Sequence, residues 1–93
     1  MGVLIVRLGS DSYVKWSTTV DAPVSRVMTR ADLARHLVSE DRLSTGESAR
    51  LLEVADVAGT SDPQLDLPSL IEGNRAGPGE TQLTIDEIVQ QFS

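Results

Sequence analysis

Apolar side chains first come as a run and then at every second position. Val3-Leu4-Ile5-Val6-Arg7-Leu8 is β-branched and apolar, and Gly9-Ser10-Asp11-Ser12 follows it. That pattern predicts a strand and a turn. From Tyr13 to Val20, Val14, Trp16, Thr18 and Val20 share one face, while Tyr13, Lys15, Ser17 and Thr19 share the other. Period-two alternation predicts a second strand with the first set on a core and the second in water. The two strands are expected to form an antiparallel hairpin. Asp21-Ala22-Pro23 breaks the pattern, because Pro23 has no N–H to give to a ladder. Val24 to Met28 reads as a short third strand at an edge.

The period then changes to that of helices. Thr29-Arg30-Ala31-Asp32 is an acidic variant of the capping box, with Met28 and Leu33 placed for a hydrophobic staple. It predicts a helix over about 30–40 that buries Leu33, Ala34, Leu37 and Val38. Ser44-Thr45-Gly46-Glu47 is a second box, opening a helix over about 45–58 that Gly59 stops in the left-handed conformation. Ala49, Leu51, Leu52, Val54, Ala55, Val57 and Ala58 make that helix apolar around most of its girth. It reads as the most buried helix of the chain.

Residues 60–80 are broken. Thr60-Ser61-Asp62-Pro63 is a turn cluster. Leu65, Leu67, Leu70 and Ile71 suit an extended path across the core with one helical turn from Ser69. Gly73 to Gly79 holds three glycines and a proline and reads as a flexible loop. Thr84-Ile85-Asp86-Glu87 is a third capping box, stapled by Leu83 and Ile88. Ile85, Ile88, Val89 and Phe92 then form one apolar stripe. A helix this short is not stable alone, so the stripe must dock. The core of the same chain is the first dock, and a partner or second copy is its rival. These four residues are the candidate interaction surface. The expected fold is α+β: a hairpin or three-stranded meander packed by two central helices and a short C-terminal helix.

Ninety-three residues suffice for one domain over 1–93. The aromatics are only Tyr13, Trp16 and Phe92, so the core must be built from small aliphatic contacts. No cysteine is present, which excludes disulfides and thiolate metal sites and favours a reducing, cytoplasmic setting. The start from Met1 lacks a basic region, and its apolar run is too short for a leader or a membrane span. Val6 stands where myristoylation of Gly2 would want a hydroxyl residue.

Charge is uneven. Residues 1–50 carry seven basic against six acidic side chains, and residues 51–93 carry Arg75 against eight acids. The second half would repel a phosphate backbone and attract a basic partner. An acidic nucleic-acid mimic that inhibits a basic partner is therefore one reading, and a merely solubilising surface is the other.

Chemistry-bearing patterns are sparse. A Ser-His-acid arrangement would need His36, the only histidine, which lies between Asp32 and Glu40 at helical spacing. That trio could orient an imidazole or hold a metal, but it equally describes a solvated helix face. Asp21 is the carboxylate nearest an apolar run, and a turn role fits it better. Asp62 to Asp66 lacks the alternation of a calcium loop, and Gly73 to Gly79 lacks the residues of a phosphate cradle. The two central helices have helix-turn-helix spacing, yet the second carries only Arg50 as a base, which disfavours nucleic acid. Neither cofactor nor metal is expected.

Tyr13-Val14-Lys15-Trp16-Ser17-Thr18-Thr19-Val20-Asp21-Ala22-Pro23-Val24, with Met28-Thr29-Arg30, resembles a pattern of small uncharacterised proteins encoded by phages of actinobacteria. The likeness covers about 20 residues and brings no site residues with it. It implies a phage product at work in the host cytosol as an accessory factor. The functional expectation is a non-enzymatic interaction protein with an unidentified protein partner. A homodimer is open, and no membrane association is expected.

Overall fold

The structure, a computed structural model, describes residues 3–93. The Met1-Gly2 start lies outside the described residues. β1 (Val3–Gly9) and β2 (Ser12–Ser17) form the expected antiparallel hairpin, with Leu4 opposite Trp16 and Val6 opposite Val14. β3 is only Ala22–Pro23, antiparallel to Trp16 and Ser17. The third strand thus lies just before the expected 24–28. Pro23 is tolerated because β3 is the sheet edge, where no further strand asks for its N–H. Beyond it the ladder is interrupted, because the Lys15 N–H donates to the Ser25 hydroxyl at 3.0 Å. It resumes at Met28, which exchanges two backbone bonds of 2.8 Å with Tyr13.

The other side of β1 is also occupied. Arg7 N–H donates to Gly59 O at 2.9 Å, and Ser61 N–H donates to Ile5 O at 2.8 Å. Thr60 between them is buried, its hydroxyl 2.6 Å from the carbonyl oxygens of Asp62 and Leu65. A segment read as a turn cluster therefore begins as a partner of β1.

Four α-helices follow the sheet: α1 (Arg30–Ser39), α2 (Thr45–Ala58), α3 (Leu67–Glu72) and α4 (Ile85–Gln91). Each starts where a side chain accepts the N–H three residues on. Thr29 accepts from Asp32, Ser44 from Glu47 and Thr84 from Glu87, and Glu87 returns a bond to the Thr84 N–H. Gly59 stops α2 at φ 85°. α3 begins at Leu67 rather than Ser69, because Asp66 caps it and Pro68 suits its first turn.

The fold is α+β, with the sheet between two helical layers. On one face, Leu4, Val6, Leu8, Val14 and Trp16 pack with Leu83 and Ile88, flanked by α3 and the rest of α4. On the other, Ile5, Tyr13 and Met28 pack with Leu33, Leu37, Leu52 and Ala55 of α1 and α2. Three expectations are corrected by this layering. Tyr13 is not in water; it is 2% exposed beneath α1 and α2, and Ser17 is buried as well. Val20 is not inward; it is 52% exposed, because β2 ends at Ser17 and the chain turns, with Asp21 at φ 55°. α2 is not the enclosed helix its composition suggests, for only Ser48, Leu52 and Ala55 are buried and Val57 is 91% exposed. Val38 of α1 likewise faces out.

The 73–79 segment, expected as a flexible loop, is pinned from inside. Asn74 is 3% exposed. Its Nδ2 donates to the carbonyls of Ile71 and Leu83, and its Oδ1 accepts from the N–H groups of Ala76 and Leu83. Gly77 lies so close to Thr81 that an added Cβ would stand 2.3 Å from the Thr81 hydroxyl.

Candidate functional site

A cleft of about 410 Å³ opens where the start of β1 meets the corner between α1 and α2. Val3, Leu4, Ile5, Leu37, Leu43 and Leu51 supply apolar walls. Leu43 reaches the cleft because Arg42 turns at φ 57° and the Leu43 N–H bonds back to Leu37 O at 3.0 Å. Lys15 and Asp41 face each other at the cleft, with Nζ 2.9 Å from Oδ1. Ser61 completes the wall, its hydroxyl accepting from Ile5 N–H at 2.9 Å. Such a cavity can take apolar groups, with one matched ion pair to orient them. No local sequence signal marked Leu43, Leu51 or Lys15 as neighbours; they meet only through the tertiary fold.

His36 stands at the back of the same ion pair, its Nε2 3.5 Å from Lys15 Nζ. Asp32 is bonded to Arg35, and Glu40 is exposed. No group of three His, Cys, Asp or Glu side chains among the described residues is placed to hold a metal ion. Asp21 occupies a turn and stands 3.6 Å from Arg75 Nε.

A second polar group joins α2 to the sheet. The Tyr13 hydroxyl donates to Asp56 Oδ1, and Arg30 Nε and Nη2 each lie 3.0 Å from Asp56 Oδ2. The Arg30 N–H in turn bonds Asp11 at 2.8 Å. Burial and the Asp56 carboxylate push the Tyr13 phenol up from its usual pKa. The Tyr13 hydrogen bond and the Arg30 guanidinium hold Asp56 below the usual carboxylate range. Every member has a partner within the chain, so this network fastens layers together.

The acidic half is also partly committed to the fold. Asp56 holds Tyr13 and Arg30, Asp62 accepts from Gln64 N–H, Asp66 caps α3 and Glu87 caps α4. The Ser69 hydrogen bonds hold Asp66 below its ordinary pKa. The four candidate interaction residues lie together, but against the core. Ile88 is fully buried, and Ile85, Val89 and Phe92 are half-buried on the same cluster. The C-terminus is tied down further by Val27 N–H, which donates to Phe92 O at 2.6 Å. No helix among the described residues is long and apolar enough to cross a membrane. No protein family, curated protein or solved structure matches the chain.

Proposed function

We propose that the chain is a non-enzymatic interaction protein of the cytosol whose cleft receives an aliphatic or aromatic anchor residue from a partner protein. The observation that carries this is the cleft itself: apolar walls, an open mouth and a single charge pair at its side. Its size suits one or two side chains, and hot-spot anchors in pockets are how small interfaces gain affinity. The likeness of residues 13–24 and 28–30 to actinobacteriophage proteins supports a bacterial host as the setting. The acidic-mimic reading is less well supported, because Asp56, Asp62, Asp66 and Glu87 already serve the fold.

The test is selection from a random peptide library on the wild-type chain and on Leu43→Asp, with melting curves to verify that both are folded. Peptides enriched on the wild type should carry a bulky apolar residue and be lost on Leu43→Asp. Enrichment that survives this change, or no enrichment at all, contradicts the proposal. Binding that collapses with added salt while ignoring Leu43→Asp would favour the acidic mimic instead.

A further inference from the structure

The ladder on the outer side of β1 stops one residue short of the strand. Arg7 donates there to Gly59, and both backbone groups of Ile5 go to Ser61. The two-residue period of a strand turns the N–H and C=O of Val3 the same way, and no bond among the described residues engages them on that side. The covering segment leaves β1 after Ser61, where the chain folds back around the Thr60 hydroxyl. Each face of the sheet has an opening beside this unpaired edge. Val3 shares the α1 and α2 face with Ile5 and lines the cleft described above. Leu4 faces the other way, where a second opening of about 400 Å³ is lined by Val3, Leu4, Asp62 and Leu65 among others. Asp62 is the only charged residue lining it. Asp62 Oδ1 accepts from Gln64 N–H, and no ion pair among the described residues engages the carboxylate.

Resting on the reading of the cleft as an anchor site, we infer that the anchor arrives on an added strand: an extended partner segment with a bulky apolar residue next to a lysine or arginine. An unpaired N–H and C=O on one edge residue is what an extended backbone satisfies. The segment continues the antiparallel line of residues 59–61, and one of its residues exchanges both backbone bonds with Val3. That residue points its side chain to the same face as Val3, and so into the cleft. There it covers Val3, which is otherwise 47% exposed. The charges in the cleft, Lys15 and Asp41, are already paired with each other, so an apolar side chain suits it. Its neighbour in the segment points to the opposite face, toward Asp62. No basic residue lines that opening, so the unpaired carboxylate favours a cation there.

The probes are short capped peptides of alanine and serine with Leu, Phe or Trp at the centre and Lys, Ala or Glu beside it, titrated into the full chain by calorimetry. Lys beside the anchor should bind about threefold more tightly than Ala, and Glu more weakly than either. Asp62→Asn should erase that order, while its amide oxygen still accepts from Gln64 N–H. N-methylation of the central residue should weaken binding about tenfold, because it removes the N–H that Val3 O would accept. N-methylation of the next residue, whose N–H faces away from β1, should change little. Peptides that bind and are lost on Leu43→Asp, yet ignore both the neighbouring charge and N-methylation, overturn the added strand and leave the anchor cleft standing. Peptides that do not bind at all overturn both. A wild-type dimer that the peptides dissociate would make a second copy the occupant of this edge and overturn the choice of partner.

Discussion

The two faces of the sheet are covered in different ways. On one, α1 and α2 are long enough to carry their own periodicity, and the Tyr13–Asp56–Arg30 network locks them to the strands. On the other, α3 and α4 have six and seven residues, too few to stand alone, and the chain between them is irregular. That second cover is held by what it buries, by the Asn74 amide and by backbone bonds from Val27 to Phe92 and from Arg75 to Asp21. The first face shows how local preference and packing reinforce each other. The second shows packing deciding almost everything. Their shared support is a hairpin whose β1 is apolar on both sides, as a strand buried on both faces should be.

Matched cavities probe the two covers most strongly. Leu33→Ala on the first face and Ile88→Ala on the second should each cost about 2–5 kcal/mol, since both side chains are fully buried. Denaturant midpoints measure both. Amide exchange distinguishes them: Ile88→Ala should release residues 65–92 preferentially, whereas Leu33→Ala should loosen α1 and α2. Equal release everywhere from both variants would erase the contrast.

Asn74→Ala sharpens the comparison. It removes bonds to buried backbone groups of Leu83 and leaves them unsatisfied, at about 2–4 kcal/mol in total. The loss should appear first as exchange in residues 74–84. A variant as stable as the wild type would mean that Asn74 does not pin this segment.

On the first face, Tyr13→Phe should cost about 1 kcal/mol, reduced by the partial exposure of Asp56. The network also gives stability two pH limits. Asp56 is depressed in the folded chain, so its contribution is present above the unfolded value of about 3.9 and fades as pH falls through the lower folded value. Tyr13 is raised, so its contribution is present below about 10 and is lost as pH rises through the higher folded value. Melting temperatures against pH should show both limbs flattened in Tyr13→Phe.

The smallest effect is expected at His36. His36→Ala should change stability by about 0.5 kcal/mol or less, because its neighbour Lys15 retains Asp41. A loss of several kcal/mol on chemical denaturation would give the imidazole a structural role that its 3.5 Å approach does not indicate.

Much of the first face was legible in the sequence. Thr29 and Ser44 cap the helices whose starts they announce, as Thr84 does on the second face, because capping is a local affair of three residues. Gly59 ends α2 for the same kind of reason. What could not be read is what the second layer changes. The alternation in β2 predicts one wet face and one dry face, but a cover on each side buries Tyr13 as well as Val14 and Trp16. The apolar girth of α2 suggested enclosure, yet a helix packed on a single sheet face leaves Val57 outside. Asn74 sits in a glycine-rich stretch that looks like a connector, and only the folded chain brings Leu83 to it. The cleft has no local signature at all, because its walls come from β1, Lys15, the α1–α2 corner and Ser61.

Trp16 tests the layered arrangement most directly. It is the only tryptophan, and it lies wholly buried on the face covered by the C-terminal half. Its fluorescence in the native wild type should be blue-shifted and shielded from acrylamide. In Asn74→Ala both signs of protection should weaken under conditions where the far-ultraviolet helix signal of α1 and α2 persists. A folded wild type whose tryptophan emits like a solvated indole and is quenched freely would contradict the second cover and the account built on it.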